Sequence, residues 1–121
     1  MIIKENTMPA PHLSPAVALG GSLFLSGQIA FDDQGAVAGD VAQQTRRCLD
    51  RLEAVLRQHG LDRNAIAKTT VWLTDATSFA AFNDAYASFF GDHKPARSTV
   101  VAALAITGAL VEIEAVARLD G

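Results

Sequence analysis

A single cysteine, Cys48, occurs in 121 residues. No intramolecular disulfide can form, and a reducing compartment, the cytoplasm, is the expected location. Long hydrophobic runs are missing too. The longest, Val100 to Ile106, is far too short to cross a bilayer. The opening MIIKENTMPAP carries a lysine and a glutamate within five residues and no apolar stretch of signal-peptide length. Positive charge is scarce. Ten Lys and Arg face thirteen Asp and Glu for a net charge of −3, and no basic cluster exceeds Arg46-Arg47. A nucleic-acid partner is therefore not expected. The three histidines, His12, His59 and His93, have no spacing suited to a metal site. No repeat or low-complexity tract divides the chain.

What remains is globular: half the residues are hydrophobic and 19% are charged, enough for one modest core, so residues 1–121 read as a single domain. Short β-rich runs come first, at residues 1–5 and in AVALGGSLFLSGQIAF. Gly20-Gly21 marks a hairpin, and Asp32 to Gly35 a tight turn. The period then changes. Asp40 is placed to cap a helix whose apolar stripe runs Val41, Thr45, Cys48, Leu49, Leu52, Val55, Leu56 until Gly60 stops it. AIAKTTVWLT follows as a strand. Next comes a second helix with Phe79, Phe82, Tyr86 and Phe89 along one side and Gly91 at its end. Two last strands follow, ARSTVVAAL and ALVEIEAVARL. The order β-β-(β)-α-β-α-β-β predicts an α+β two-layer sandwich, a mixed sheet with both helices on one face.

Alternation assigns Val111, Ile113, Ala115 and Ala117 to the helix-covered face and Leu110, Glu112, Glu114 and Val116 to the other. If the last two strands form a hairpin with Ser98, Val100, Ala102 and Leu104 facing the helices, Arg97 joins both glutamates on the far face. That face is too apolar for plain exposure and too charged for a core. It is expected to be a subunit interface with a polar pocket. Two readings of Arg97, Glu112 and Glu114 stay open: ion pairs on a solvated face, or a site where a guanidinium fork grips a small carboxylate. Cys48 reads as a packed core thiol, Trp72 as sheet packing, and His59 as helix-end electrostatics.

The segments LFLSGQIA, the long run from Asp40 to Asp75, FAAFNDAYASFF, PARSTV and VEIEAVA occur in an order and spacing that resembles the RidA/YjgF family of reactive-intermediate deaminases. The resemblance implies a chorismate-mutase-like homotrimer with clefts between subunits. There 2-imino and enamine acids, such as 2-aminoacrylate, are hydrolysed to 2-keto acids and ammonia without metal or organic cofactor. It implies that Arg97 grips the substrate carboxylate and that Glu112 positions or activates the water. Ser26, Gly27 and Asn83 would line the cleft. Two positions depart from the family pattern: Thr99 stands where cysteine is common, and Leu13 where many members have tyrosine, which makes the pocket more apolar. The loop ALAITG also lacks the family's common proline. The alternatives are a non-catalytic carboxylate-binding or regulatory trimer and, against the acidic balance, an endoribonuclease or translation inhibitor.

Overall fold

A computed structural model describes residues 11–119, so the strand expected at residues 1–5 lies outside the described residues. Five strands and two helices follow in the order β1 (Ala16–Leu19), β2 (Ser22–Ile29), α1 (Val41–Gln58), β3 (Ile66–Leu73), α2 (Phe79–Phe90), β4 (Ala96–Val101) and β5 (Val111–Arg118). The strands form one sheet in the order β1-β2-β5-β3-β4. Its ladders are antiparallel except for β3 and β4, which run parallel. Both helices cover the same face, which gives the expected α+β two-layer sandwich.

Local chemistry explains most boundaries. Leu19 pairs with Ser22 across Gly20-Gly21, and Gly20 has φ +62°, a conformation that costs a side-chain-bearing residue strain. Asp40 caps α1 through a reciprocal box with Gln43. Along α1 the expected stripe Val41, Thr45, Cys48, Leu49, Leu52 and Leu56 is buried, while Val55, its remaining member, is only half-buried. It meets Leu23, Leu25, Val111, Ile113, Ala115 and Ala117 from the sheet. Each fully buried leucine contributes about 1.5–3 kcal/mol relative to exposure. Cys48 is packed in this layer, its Sγ 3.7 Å from the Val111 carbonyl, and burial pushes its pKa up to about 12. Gln44, a polar residue the stripe omits, is buried and fully used. Its amide donates to the Gly39 and Gly108 carbonyls and its oxygen accepts from Leu110 N, which fastens the segment leading into β5. On α2 the buried set is Phe82, Ala85, Tyr86 and Phe90. Phe89 is only half-buried and Phe79 is exposed, a displacement from the expected stripe toward the face that meets β3.

The expected hairpin between the last two strands does not form. β4 lies at the sheet edge beside β3, Thr69 against Arg97 and Val71 against Thr99, while β3 occupies the place beside β5. Thr69 is fully buried toward the helices, so its partner Arg97 stands on the helix-covered face and not with Glu112 and Glu114. Ser98 and Val100 take the opposite face. The physical reason is the connection. A strand, a helix that packs back on the sheet, and another strand give a parallel pair, whereas the segment between β4 and β5 is too long for a tight hairpin.

The two glutamates do occupy the far face, opposite Trp72 and Thr70. No element of the described chain covers that face. Val17, Leu19, Phe24 and Val100 are large apolar residues exposed there.

A clamp orients α2 on α1. Glu53 accepts from the Arg63 backbone N–H and from its guanidinium, and Arg63 lies over the Phe89 ring at 3.8 Å while also donating to the Phe89 carbonyl. Arg63 lowers the Glu53 pKa below its ordinary 4.5. A carboxylate whose folded-state pKa is depressed stabilises fully above its ordinary pKa, and loses that contribution as pH falls through the folded value. The Arg63 side chain is 35% exposed, so solvent screens part of the pair. Glu53→Gln is expected to cost about 1–2 kcal/mol at pH 7 in urea unfolding, with the gap to wild type closing below pH 4.5. A gap constant down to pH 2–3 in such titrations, roughly the floor of carboxylate ionisation, would count against the clamp.

Candidate functional site

Arg97 enters the structure from the second residue of an edge strand, where its side chain passes across α2 rather than into the layer beneath. One guanidinium nitrogen donates to Asn83 Oδ1 at 2.9 Å. The guanidinium carbon lies 4.8 Å from the Tyr86 ring centre, 5.2 Å from Phe82 and 5.6 Å from Phe79, so three rings hold the cation in place. Tyr86 is itself fixed by a 2.7 Å hydrogen bond to Thr69. Among the described residues no carboxylate lies within ion-pair distance of Arg97. A guanidinium has five N–H donors, and the 2.9 Å bond to Asn83 uses one of them. Arg97 and Asn83 line a cavity of about 390 Å³ together with Tyr86, His93 and Lys94. His93 Nε2 sits 2.7 Å from the Ile66 carbonyl, which can only accept, so that nitrogen carries the proton.

Glu112 belongs to a second, separate assembly. Between Leu25, paired with Ala115, and Gln28, paired with Ile113, β2 places both Ser26 and Gly27 against Glu114 alone. This is a β-bulge, a device that bends a strand and re-aims its residues. It lets the Glu112 side chain lie directly over Gly27. A Cβ at that position would collide with Glu112 Oε2. Burial raises the Glu112 pKa above the ordinary carboxylate value, and the negative charge of Glu114 raises it further. Ser26 donates its hydroxyl to the Ser14 carbonyl at 2.6 Å and its N–H to the Pro15 carbonyl, which fastens the segment carrying Leu13 beside the bulge. Leu13, Ser26, Gly27 and Glu112 line one cavity of about 650 Å³.

The residues singled out in the sequence thus fall into two groups on opposite faces of one sheet, Arg97 with Asn83 and Glu112 with Leu13, Ser26 and Gly27. Thr99 shares the face of Arg97 but lines neither cavity. Arg51 was missed. From α1 its Nε donates to Gln28 Oε1 at 3.0 Å and its guanidinium reaches the Phe31 carbonyl, which ties down the residue where the ladder resumes after the bulge. The only sequence signal was its place at the edge of an apolar stripe. Among the described residues, no cluster of three or more His, Cys, Asp or Glu is placed to hold a metal ion.

Gly27 lacks the positive φ that would make alanine strained, so Gly27→Ala is expected to leave the fold intact while displacing the Glu112 carboxylate. Carbon-13 NMR titration of Glu112 should then show its pKa moving back toward the ordinary value, with the melting temperature changed by only a few degrees. An unmoved titration would show that Gly27 does not set the carboxylate's position.

The family model described as Endoribonuclease L-PSP matches residues 4–119. A RutC family protein of Pyrococcus horikoshii is 39% identical, over 97% of this chain and 95% of its own. The 2-iminobutanoate/2-iminopropanoate deaminase of Salmonella typhimurium is 42% identical, over 96% and 94%. Among solved structures, the YjgF gene product of E. coli superimposes with a TM-score of 0.82 at 39% identity, covering 90% of this chain and 88% of that one. With a family match across nearly its whole length and relatives near 40% identity, the chain belongs to the RidA/YjgF family.

Proposed function

We propose that the protein hydrolyses 2-imino and enamine acids to 2-keto acids and ammonia in clefts between the subunits of a homotrimer. The observation that carries this reading is the division of the site. A restrained guanidinium, without a carboxylate partner among the described residues, and a carboxylate with a raised pKa line separate cavities, and their strands carry the two residues on opposite faces of one sheet. Only two copies can bring such halves together, and the uncovered far face, with Val17, Phe24 and Val100 exposed beside Glu112 and Glu114, offers the apolar surface for that assembly. The deaminase name of the Salmonella relative supports the same chemistry.

In this mechanism Arg97 of one subunit grips the substrate carboxylate through the N–H donors that Asn83 leaves unused. Glu112 of the neighbouring subunit accepts a proton from a water whose oxygen bonds to C2. The C=N π pair moves to nitrogen, which takes up that proton. As the C–N bond breaks, the carbinolamine O–H proton passes through Glu112 to the departing nitrogen, which leaves the keto acid and ammonia. A carboxylate whose pKa is raised toward the working pH suits this two-way proton transfer. The acidic composition, with no basic cluster beyond Arg46-Arg47, disfavours the alternative of RNA cleavage.

The test generates imines in situ with an amino-acid oxidase and follows keto-acid release. Arg97→Ala is expected to lower kcat/KM roughly a hundredfold or more, because paired charge-assisted hydrogen bonds to the substrate disappear. Glu112→Gln is expected to lower kcat. Co-refolding these two inactive variants should restore activity at about one quarter of the sites, by random pairing across a head-to-tail interface. A complete site within one chain would show no such recovery. If wild type fails to accelerate any imine, the reading is wrong.

A further inference from the structure

We propose that the cavity beside Glu112 receives the substrate side chain and selects 2-imino acids with large apolar side chains, such as those derived from leucine, methionine or phenylalanine. The inference rests on the deaminase reading and adds the substrate class. The two halves of the site differ in chemistry. The smaller cavity, around Arg97, carries Asn83, His93 and Lys94 and suits the charged end of a substrate. The larger one, of about 650 Å³, presents Leu13, Ile29, Phe31, Val55 and Ile106 next to the Glu112 carboxyl. Its polar members other than Glu112 are already engaged within the chain: Ser26 with Ser14, and Arg51 with Gln28 and the Phe31 carbonyl. Apart from Glu112, Ser26 and the N–H groups that Arg51 and Gln28 leave unused, the side chains that line this cavity are apolar.

Size points the same way. Leu13 keeps 59% of its surface exposed and Ile106 is half-buried, so apolar surface stands open beside the carboxylate. An imine bearing only a methyl or methylene group leaves that surface wetted. A branched four-carbon or benzyl side chain covers it. Each apolar CH₂ removed from water favours binding by about fourfold, and partial coverage reduces this. A preference of roughly tenfold to a hundredfold for the leucine-derived over the alanine-derived imine follows.

The experiment measures kcat/KM on the intact protein for imines formed by an oxidase from alanine, leucine, methionine and phenylalanine. In parallel, NMR titration measures binding of the corresponding 2-oxo acids, pyruvate, 4-methyl-2-oxopentanoate, 4-methylthio-2-oxobutanoate and phenylpyruvate, which need no turnover. The expected result is a rise in both series with apolar size. Ile106→Ser and the surface variant Leu13→Ser should each lower the leucine-to-alanine ratio several-fold. Equal or better handling of the alanine imine, or variants that shift all substrates alike, would overturn the assignment. Absence of turnover with graded 2-oxo acid binding would refute the deaminase reading but uphold the cavity's role. Absence of turnover with flat binding would overturn both.

Discussion

The parallel pairing of β4 along β3 decides where Arg97 stands relative to Glu112. It sets Arg97 beside Thr69, on the face that α2 covers, and leaves Glu112 beside Trp72 on the face that no described element covers. A sheet is one backbone thick, so two side chains on its opposite faces cannot close on one small molecule from within a single chain. The aromatic column Phe82, Tyr86 and Phe90 enforces the arrangement, since it packs α2 against β3 and provides the rings on which the guanidinium rests. Arg63, gripping Glu53 from α1 and stacked on Phe89, holds that column in register with the rest of the core.

The Glu112 part of the candidate site depends on a backbone irregularity rather than on a charge. Two residues of β2 occupy the space opposite one residue of β5, and the smallest residue type sits where the Glu112 carboxylate must lie. Burial and a like charge then hold that carboxylate closer to neutrality than an exposed one. Two contacts brace the bulge, Arg51 of α1 on Gln28 and the Ser14 carbonyl, in the segment leading into β1, on the Ser26 hydroxyl.

Much of this was legible in the residues. The capping Asp40 and the stop at Gly60 bounded α1, and strict alternation in VEIEAVA placed Val111, Ile113, Ala115 and Ala117 in the core and both glutamates outside it. The partner of β4 was misread because ARSTVV alternates without a clear apolar face: Arg97 and Thr99 on one side, Ser98 and Val100 on the other. The strand-helix-strand order of β3, α2 and β4 held the correct signal, since such units join parallel neighbours. Arg97, Asn83 and Glu112 could be named from resemblance, but their separation across the sheet could not, because it depends on strand order. Gln44, Glu53 and Arg51 were invisible for another reason. A polar residue on a helix stripe looks like solvent-facing surface until its partners, distant in sequence, are known.

The buried thiol has a bearing on durability. Imines and the carbonyl compounds they become are electrophiles to which thiolates can add, and a protein with the proposed activity would meet them repeatedly. Here threonine occupies position 99 beside Arg97, and the chain's one sulfhydryl is sealed under α1 with its proton held to about pH 12. Packing alone therefore keeps the chain's one thiol protonated and away from such electrophiles.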